Sequence, residues 1–294
     1  MAVRHREPGL DIAVWSIAVL ALLVTGLPFL YVLFLSVSTP EAVFFNQVLF
    51  LPDRIYLQSY ADIFERAAIG TFYFNTVFIV AIGTAINLVM TCLAAYPLSR
   101  RDFRFRHLFM GFIVFTMFFH GGIIPFFIVV RSLGLVNTRW SLIIPFAVAA
   151  WHIIITRTYF QSAIPDSLHE SALIDGASRT RILVSIVVPL AKPVIAVIAL
   201  WTAVGFWNTY FWALVFIFDA DKQPIQIFLV KLLIQGQGAE LGLGRAPGML
   251  TRNSGVAEQM KYVAIVVTIA PIVAIYPFLQ RYFIKGVMIG ALKG

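Results

Sequence analysis

The stretch Ile12–Val37 runs for 26 residues without one charged side chain, and that feature removes most folds open to a chain of 294 residues. A helix needs about 20 apolar residues to cross roughly 30 Å of hydrocarbon. The run follows Arg4 and Arg6 and so resembles a secretion signal. The apolar core of a cleaved signal is only about 7–15 residues long, so an uncleaved signal anchor is expected. Five more runs follow: Thr71–Tyr96, Leu108–Val130, Trp140–Thr156, Val194–Phe218 and Tyr262–Leu279. The third contains His120-Gly121-Gly122 and Pro125, which predict a kink or an unwound turn. The fourth is short and closed by Arg157. Composition agrees: 60% of residues are hydrophobic and 12% charged, against about 45–50% and 25% in soluble domains. The expected fold is an all-α membrane protein of six transmembrane helices.

Six crossings put both termini on one side, and basic residues choose that side. With the N-terminus cytoplasmic, the inside segments carry 13 basic and six acidic residues, a balance of +7. The outside segments carry nine and eight, a balance of +1. The short loop with Arg100, Arg101, Arg104 and Arg106 decides the matter, and both ends are expected in the cytoplasm. In a membrane chain the pI near 9.8 reports this topology rather than nucleic-acid binding. The single cysteine, Cys92, lies inside an apolar run, which excludes a disulfide framework. Two outside segments are long, Ser38–Gly70 and Asp219–Lys261, the second rich in glycine between Gly236 and Gly248.

The cytoplasmic segment Arg157–Lys192 is the most informative. Ser167 and Glu170 have capping-box spacing, so a short helix is expected from Leu168, with Leu168, Ala172 and Leu173 on one face. Gly176 is placed to end it in a left-handed turn and to let two helices of an elbow pack closely. A second helical stretch starts at Ser178 and runs until Pro189 and Pro193 interrupt it. Local physics alone allows an amphipathic element lying on lipid headgroups.

The spacing here resembles a known pattern. Glu170-Ser171-Ala172, three residues, Gly176, nine residues, then Ile186-Val187-Val188-Pro189 is similar to the EAA loop of ABC-importer permeases. In that family the pattern is E-A-A, three residues, G, nine residues, I-x-L-P; Ser171 and Val188 are its conservative departures here. Within the superfamily the chain resembles MalG-type carbohydrate permeases, and most of all their polysaccharide and oligosaccharide branch, the kind that takes up alginate or uronate oligomers. The resemblance extends to the tail, Ile284-Lys285-Gly286-Val287 through Leu292-Lys293-Gly294.

This resemblance implies a type-1 importer arrangement. Residues 1–70 would be anchor and extracytoplasmic loop, 71–282 the transmembrane domain with its EAA loop at 157–192, and 283–294 a cytoplasmic tail. Glu170, Ser171, Ala172, Asp175, Gly176, Ile186 and Pro189 would couple to a separate cytoplasmic ATPase, with Lys293 and Gly294 touching it as well. No cofactor is expected on this chain; ATP and Mg belong to the ATPase. Two ATPase subunits, a second homologous permease and an extracytoplasmic sugar-binding protein are the implied partners, and the bacterial inner membrane is the implied location. The segment Gln235–Gly248 would reach toward a docked binding protein, or serve only as a linker.

No G-x-x-x-x-G-K-[ST] occurs, so the chain has no phosphate-cradling loop of that kind. His169-Glu170-Ser171-Ala172-Leu173 misses H-E-x-x-H because leucine stands where a zinc ligand is needed. Gly242-Leu243-Gly244 begins like a dinucleotide loop, but Pro247 takes the third glycine's place. The fifth run holds Trp201, Trp207, Asn208, Tyr210 and Trp212. Aromatic faces beside an amide suit a sugar, so these are candidates for a translocation path. Asn75 and Asn87 are weaker candidates. His120 and His152 are functional candidates as polar intramembrane residues, against the plainer reading of interhelical hydrogen bonds. An ion-coupled secondary transporter would call for ionisable groups within the spans, and their central parts lack Asp, Glu, Lys and Arg.

Overall fold

The computed structural model describes residues 8–49, 51–66, 69–233 and 250–291. Arg4, Arg6, Gln235–Gly248, Lys293 and Gly294, on which expectations rest, lie outside the described residues. Among the described residues every regular element is helical. The order begins α1 (Pro8–Val37), α2 (Pro40–Phe44), α3 (Gln58–Arg66), α4 (Ile69–Ser99), α5 (Arg106–Phe118) and α6 (Ile123–Ser132). Two 3-10 turns, Arg139–Leu142 and Ile144–Phe146, precede α7 (Ala150–Ala163). Then come α8 (Asp166–Ile174), α9 (Arg179–Ile182), a π turn at Leu183–Val187, α10 (Val188–Leu190), α11 (Lys192–Trp207), α12 (Phe211–Phe216), α13 (Ile225–Leu233) and α14 (Leu250–Ala291).

Gly9–Val37, Ile69–Ser99 and Gly255–Ile275 are long and apolar enough to cross a membrane unbroken. The other apolar runs are bent pairs. α5 and α6 meet at 117°, the 3-10 segment and α7 at 46°, and the α9–α10 stretch and α11 at 83°. The third run breaks at residues 119–122, where Gly122 has φ 82°. The fourth departs from its expected bounds at both ends. Pro145 has no amide to donate, and the chain passes it in 3-10 turns. At the other end Arg157 does not stop the helix, because its Nε donates to the Leu98 carbonyl at 3.2 Å and Gln161 donates to that of Ser99 at 3.2 Å. These side chains satisfy carbonyls that the end of α4 leaves without intrahelical donors. The fifth run also breaks. Asn208 ends α11, and its side-chain amide donates to the Val204 carbonyl at 3.0 Å, a local bond that competes with helix propagation.

Two compact units divide the chain. In the first, built from residues up to 66 and from 229 to 270, Thr39 caps α2 by accepting from the Ala42 amide. Gln259, fully buried, donates to the Ser36 and Ser38 carbonyls and accepts from the Ser59 hydroxyl at 2.6 Å. The long segment after α1 is therefore helical in part, not simply a loop.

In the second unit α4 is the central element, with α7 and α11 packed against it. Gly83 makes the α4–α11 approach possible, since a Cβ there would stand 2.6 Å from the Phe206 ring. One apolar cluster gathers Ala95, Tyr96, Ile153, Phe160, Ile182, Val187 and Ile198. Another gathers Ile79, Val130, Leu142, Phe206, Phe216 and Ile227.

Candidate functional site

The segment with EAA-type spacing forms an elbow against the end of α4. Pro165, extended at φ −60° and ψ 141°, is the residue before α8, and Asp166 opens the helix in its first turn. A carboxylate there suits the positive end of the helix dipole. The capping box expected from Ser167 and Glu170 does not form. No side chain caps α8, and the Ser167 carbonyl accepts from the Ser171 hydroxyl at 2.8 Å. Proline has already set the boundary, so Ser167 takes helical geometry and is unavailable as a cap.

The C-terminal end behaves as glycine predicts. Gly176 has φ +77°, the Ala177 amide donates to the Ala172 carbonyl at 2.9 Å, and the Gly176 amide donates to that of Leu173 at 3.0 Å. This is a Schellman closure, and Ala177 packs on the core behind it. The expected close packing of two helices at Gly176 is absent: a Cβ there would meet nothing within 4 Å. Its constraint is the backbone angle alone. Ser178 then caps α9 by accepting from the Arg181 amide. The π turn carries half-buried Ile186, and exposed Pro189 sits inside α10.

α8 has two unlike faces. His169 and Ala172 point inward and are buried. Glu170, Ser171 and Asp175 are exposed beside Leu168 and Leu173, and Ile174 is 86% exposed. Ala172 therefore belongs to the core, not to the outer apolar face expected for it. The inner face is held to α4. His169 Nδ1 lies 3.1 Å from the Tyr96 hydroxyl, with the rings edge-on at 5.9 Å. Asp166 pairs with Arg100 at 2.8 Å and with Arg101 at 3.5 Å, and Arg179 donates to Asp102 at 2.9 Å. Burial pushes the His169 pKa below its ordinary 6.5; Arg100 and Arg179 push the same way, while Asp102 and Asp166 oppose. The net effect favours the neutral imidazole. Along the chain these charges report only topology. The signal for their pairing was present, as opposite charges on two loops assigned to one membrane face.

Higher along α4, neutral polar groups replace ion pairs. Asn87 is 1% exposed and joins three helices. Its Nδ2 donates to the Ala147 carbonyl at 3.1 Å. Its Oδ1 lies 3.0 Å from His152 Nδ1 and accepts from the Thr202 hydroxyl at 3.1 Å. His152 thus makes the interhelical hydrogen bond weighed for it. His120, by contrast, is exposed in the break between α5 and α6. Asn75, fully buried, accepts from Arg139 Nε at 2.7 Å and donates to the carbonyls of Asp221 and Gln223.

The aromatic candidates do not form one surface. Trp212 packs against Phe126 at 4.9 Å and Phe216 at 5.4 Å. Trp207 is buried, 6.4 Å from the Tyr73 ring. Trp201, Asn208 and Tyr210 keep exposed faces.

Known proteins agree with this architecture. Residues 87–289 match the family model described as binding-protein-dependent transport system inner membrane component. The polygalacturonan/rhamnogalacturonan transport system permease protein YtcP of Bacillus subtilis is 39% identical over 289 residues, covering 97% of this chain and 98% of its own. A solved chain of a bacterial ABC transporter involved in import of the acidic polysaccharide alginate superposes with TM-score 0.85 at 34% identity, covering 96% of this chain and all of that one. A chain of the alginate transporter in complex with alginate pentasaccharide-bound periplasmic protein shares the fold alone, with TM-score 0.50 at 16% identity. The matched family segment takes in the elbow, α4 from Asn87 onward, α7 and α11, and the chain belongs to the family of binding-protein-dependent transport system inner membrane components.

Proposed function

We propose that this chain is the transmembrane permease subunit of an ATP-driven, binding-protein-dependent importer of sugars or oligosaccharides in a bacterial cell membrane. The observation that carries the reading is the elbow at 166–190. It is fixed to α4 on one face and offers an exposed, largely unpaired face containing Glu170, Ile174 and Gly176 on the other. Such an element transmits motion only if something outside the chain grips it differently in two states. A separate pair of ATPase subunits, holding ATP and Mg, is that partner. Glu170, Ser171, Asp175, Gly176 and Pro189 are the contact residues proposed from this chain, and Lys293 and Gly294 are proposed as a second contact.

The transmembrane domain at 71–282, counted as six crossings with cytoplasmic ends, pairs with a homologous permease to enclose the path. Trp201, Asn208 and Tyr210 are the candidates left with open faces to line it. A binding protein delivers the sugar from outside. The names of the relatives favour acidic polysaccharide fragments as the substrate class.

The test is energetic. The purified chain should hydrolyse no ATP, whereas the complex reconstituted with ATPase, sister permease and binding protein should hydrolyse it faster when the binding protein is loaded. Robust hydrolysis by this polypeptide alone would remove the reading.

A further inference from the structure

We infer that His152 and Trp201 form a sugar-binding subsite inside the translocation path, in which His152 Nε2 accepts a hydroxyl proton while Trp201 covers an apolar sugar face. The inference deepens the importer reading and rests on it.

Hydrogen-bond chemistry fixes the imidazole. The Asn87 amide is oriented by its donation to the Ala147 carbonyl, since a carbonyl takes only donors. Asn87 Oδ1 therefore faces His152, and an amide oxygen can only accept. The proton must be on Nδ1, which leaves Nε2 as a bare acceptor in the neutral ring. No bond to Nε2 is formed among the described residues, and the ring is half-exposed.

Thr202 reinforces the arrangement from α11. Its hydroxyl lies 3.1 Å from Asn87 Oδ1, 3.4 Å from His152 Nδ1 and 2.8 Å from the Ile198 carbonyl. Trp201 is the preceding residue on that helix, 41% exposed, with its ring 6.5 Å from the imidazole and tilted by 33°.

Depth makes the open acceptor meaningful. Asn87 lies 12 residues before the end of α4 at Ser99, about 18 Å along a helix, which is well inside a hydrocarbon layer of roughly 30 Å. An acceptor turned toward lipid there would go unsatisfied, whereas polar groups at that depth face a bundle interior or a water-filled cavity. Fixing the ring edge-on at one nitrogen and leaving the other free is an arrangement for receiving a donor. A lone pair repels a carboxylate, so the subsite reads sugar hydroxyls and not the acidic group of a uronate. An indole face beside it suits the C–H side of the same ring.

The experiment uses the reconstituted complex with its binding protein. Trp201→Cys is made in a Cys92→Ala background, which leaves one thiol in this chain. A charged, membrane-impermeant methanethiosulfonate should modify it in at least one nucleotide state, and binding protein loaded with a labelled galacturonate oligosaccharide should slow that reaction. His152→Phe should raise KM for uptake of the same oligosaccharide by about tenfold, the scale of one lost hydrogen bond, while the complex still assembles. Absence of modification in every nucleotide state overturns the subsite, because position 201 then faces lipid or protein. So does wild-type KM in His152→Phe alongside normal uptake by the parent. Modification by the water-soluble reagent, with neither protection nor uptake by the parent for acidic or neutral oligosaccharides, overturns the importer reading instead and removes sugar as the ligand.

Discussion

α4 is gripped twice, and the two grips use different chemistry. Near Ser99 the elbow is held by ion pairs at half-exposed carboxylates and by the His169–Tyr96 contact. Around Asn87 the grip is neutral, made of an amide, an imidazole and a hydroxyl. Water screens charges at the first site, so its pairs are individually weak and can shift. At the second site Asn87 and Thr202 are buried, so their polar groups need partners within the protein. One end of α4 is therefore adjustable and the other fixed, which suits the proposed role of a helix that moves with a partner docked at the surface while holding its neighbours in register inside.

The most severe way to break the contrast is Asn87→Leu. It strands the Ala147 carbonyl and the His152 Nδ1 proton, and unsatisfied buried groups cost about 1–3 kcal/mol. Thermal unfolding of the detergent-solubilised chain should show a clear drop in midpoint, insensitive to salt. An unchanged midpoint would mean that Asn87 is not a structural tie.

His169→Phe should have a smaller effect, within about 1 kcal/mol at pH 7, because it removes a hydrogen bond but also a buried Nε2 that has no partner among the described residues. Its signature is in pH. The His169 pKa is lowered in the fold, so the unfolded chain binds the proton more readily. The resulting contribution is fully present above about 6.5 and lost as pH falls through the lower folded value. Unfolding midpoints measured from pH 7.5 down to 5 should fall less steeply in His169→Phe than in the parent. Parallel curves would show that His169 does not sense pH.

Asp166→Asn should cost least, no more than about 1 kcal/mol, because the carboxylate is 44% exposed. Salt should erode even that difference, in contrast to Asn87→Leu. A salt-independent loss would place the Asp166 pair with the interior grip.

Much of this was legible in the chain. The uncharged runs gave α1 and α4 to within four residues at each end, because continuous apolar sequence at that length has one solution in lipid. Gly176 was legible as a left-handed turn. Its surroundings were not, since spacing says nothing about what a Cβ would meet. The breaks at Pro145 and Asn208 were missed because mean apolarity hides a single residue that withholds or diverts a backbone bond. Asn87, His152 and Thr202 were each visible as polar residues in apolar runs, yet they lie 65 and 115 residues apart along the chain, and no local pattern joins them. The capping box failed for a local reason: Pro165 sets the helix start before Ser167 can.

The central claim is that the elbow at 166–190 couples this permease to a separate ATPase, and Gly176 tests it most directly. A side chain at its φ of +77° costs roughly 1–2 kcal/mol, and no neighbour in this chain would be struck. Gly176→Val should therefore stay in the membrane and remain paired with its sister subunit. In ATPase pull-down, with uptake and hydrolysis measured on the same preparation, the variant should either lose the ATPase or retain it with hydrolysis no longer linked to uptake. Normal retention together with normal coupled transport would contradict the account and reduce the elbow to a surface helix.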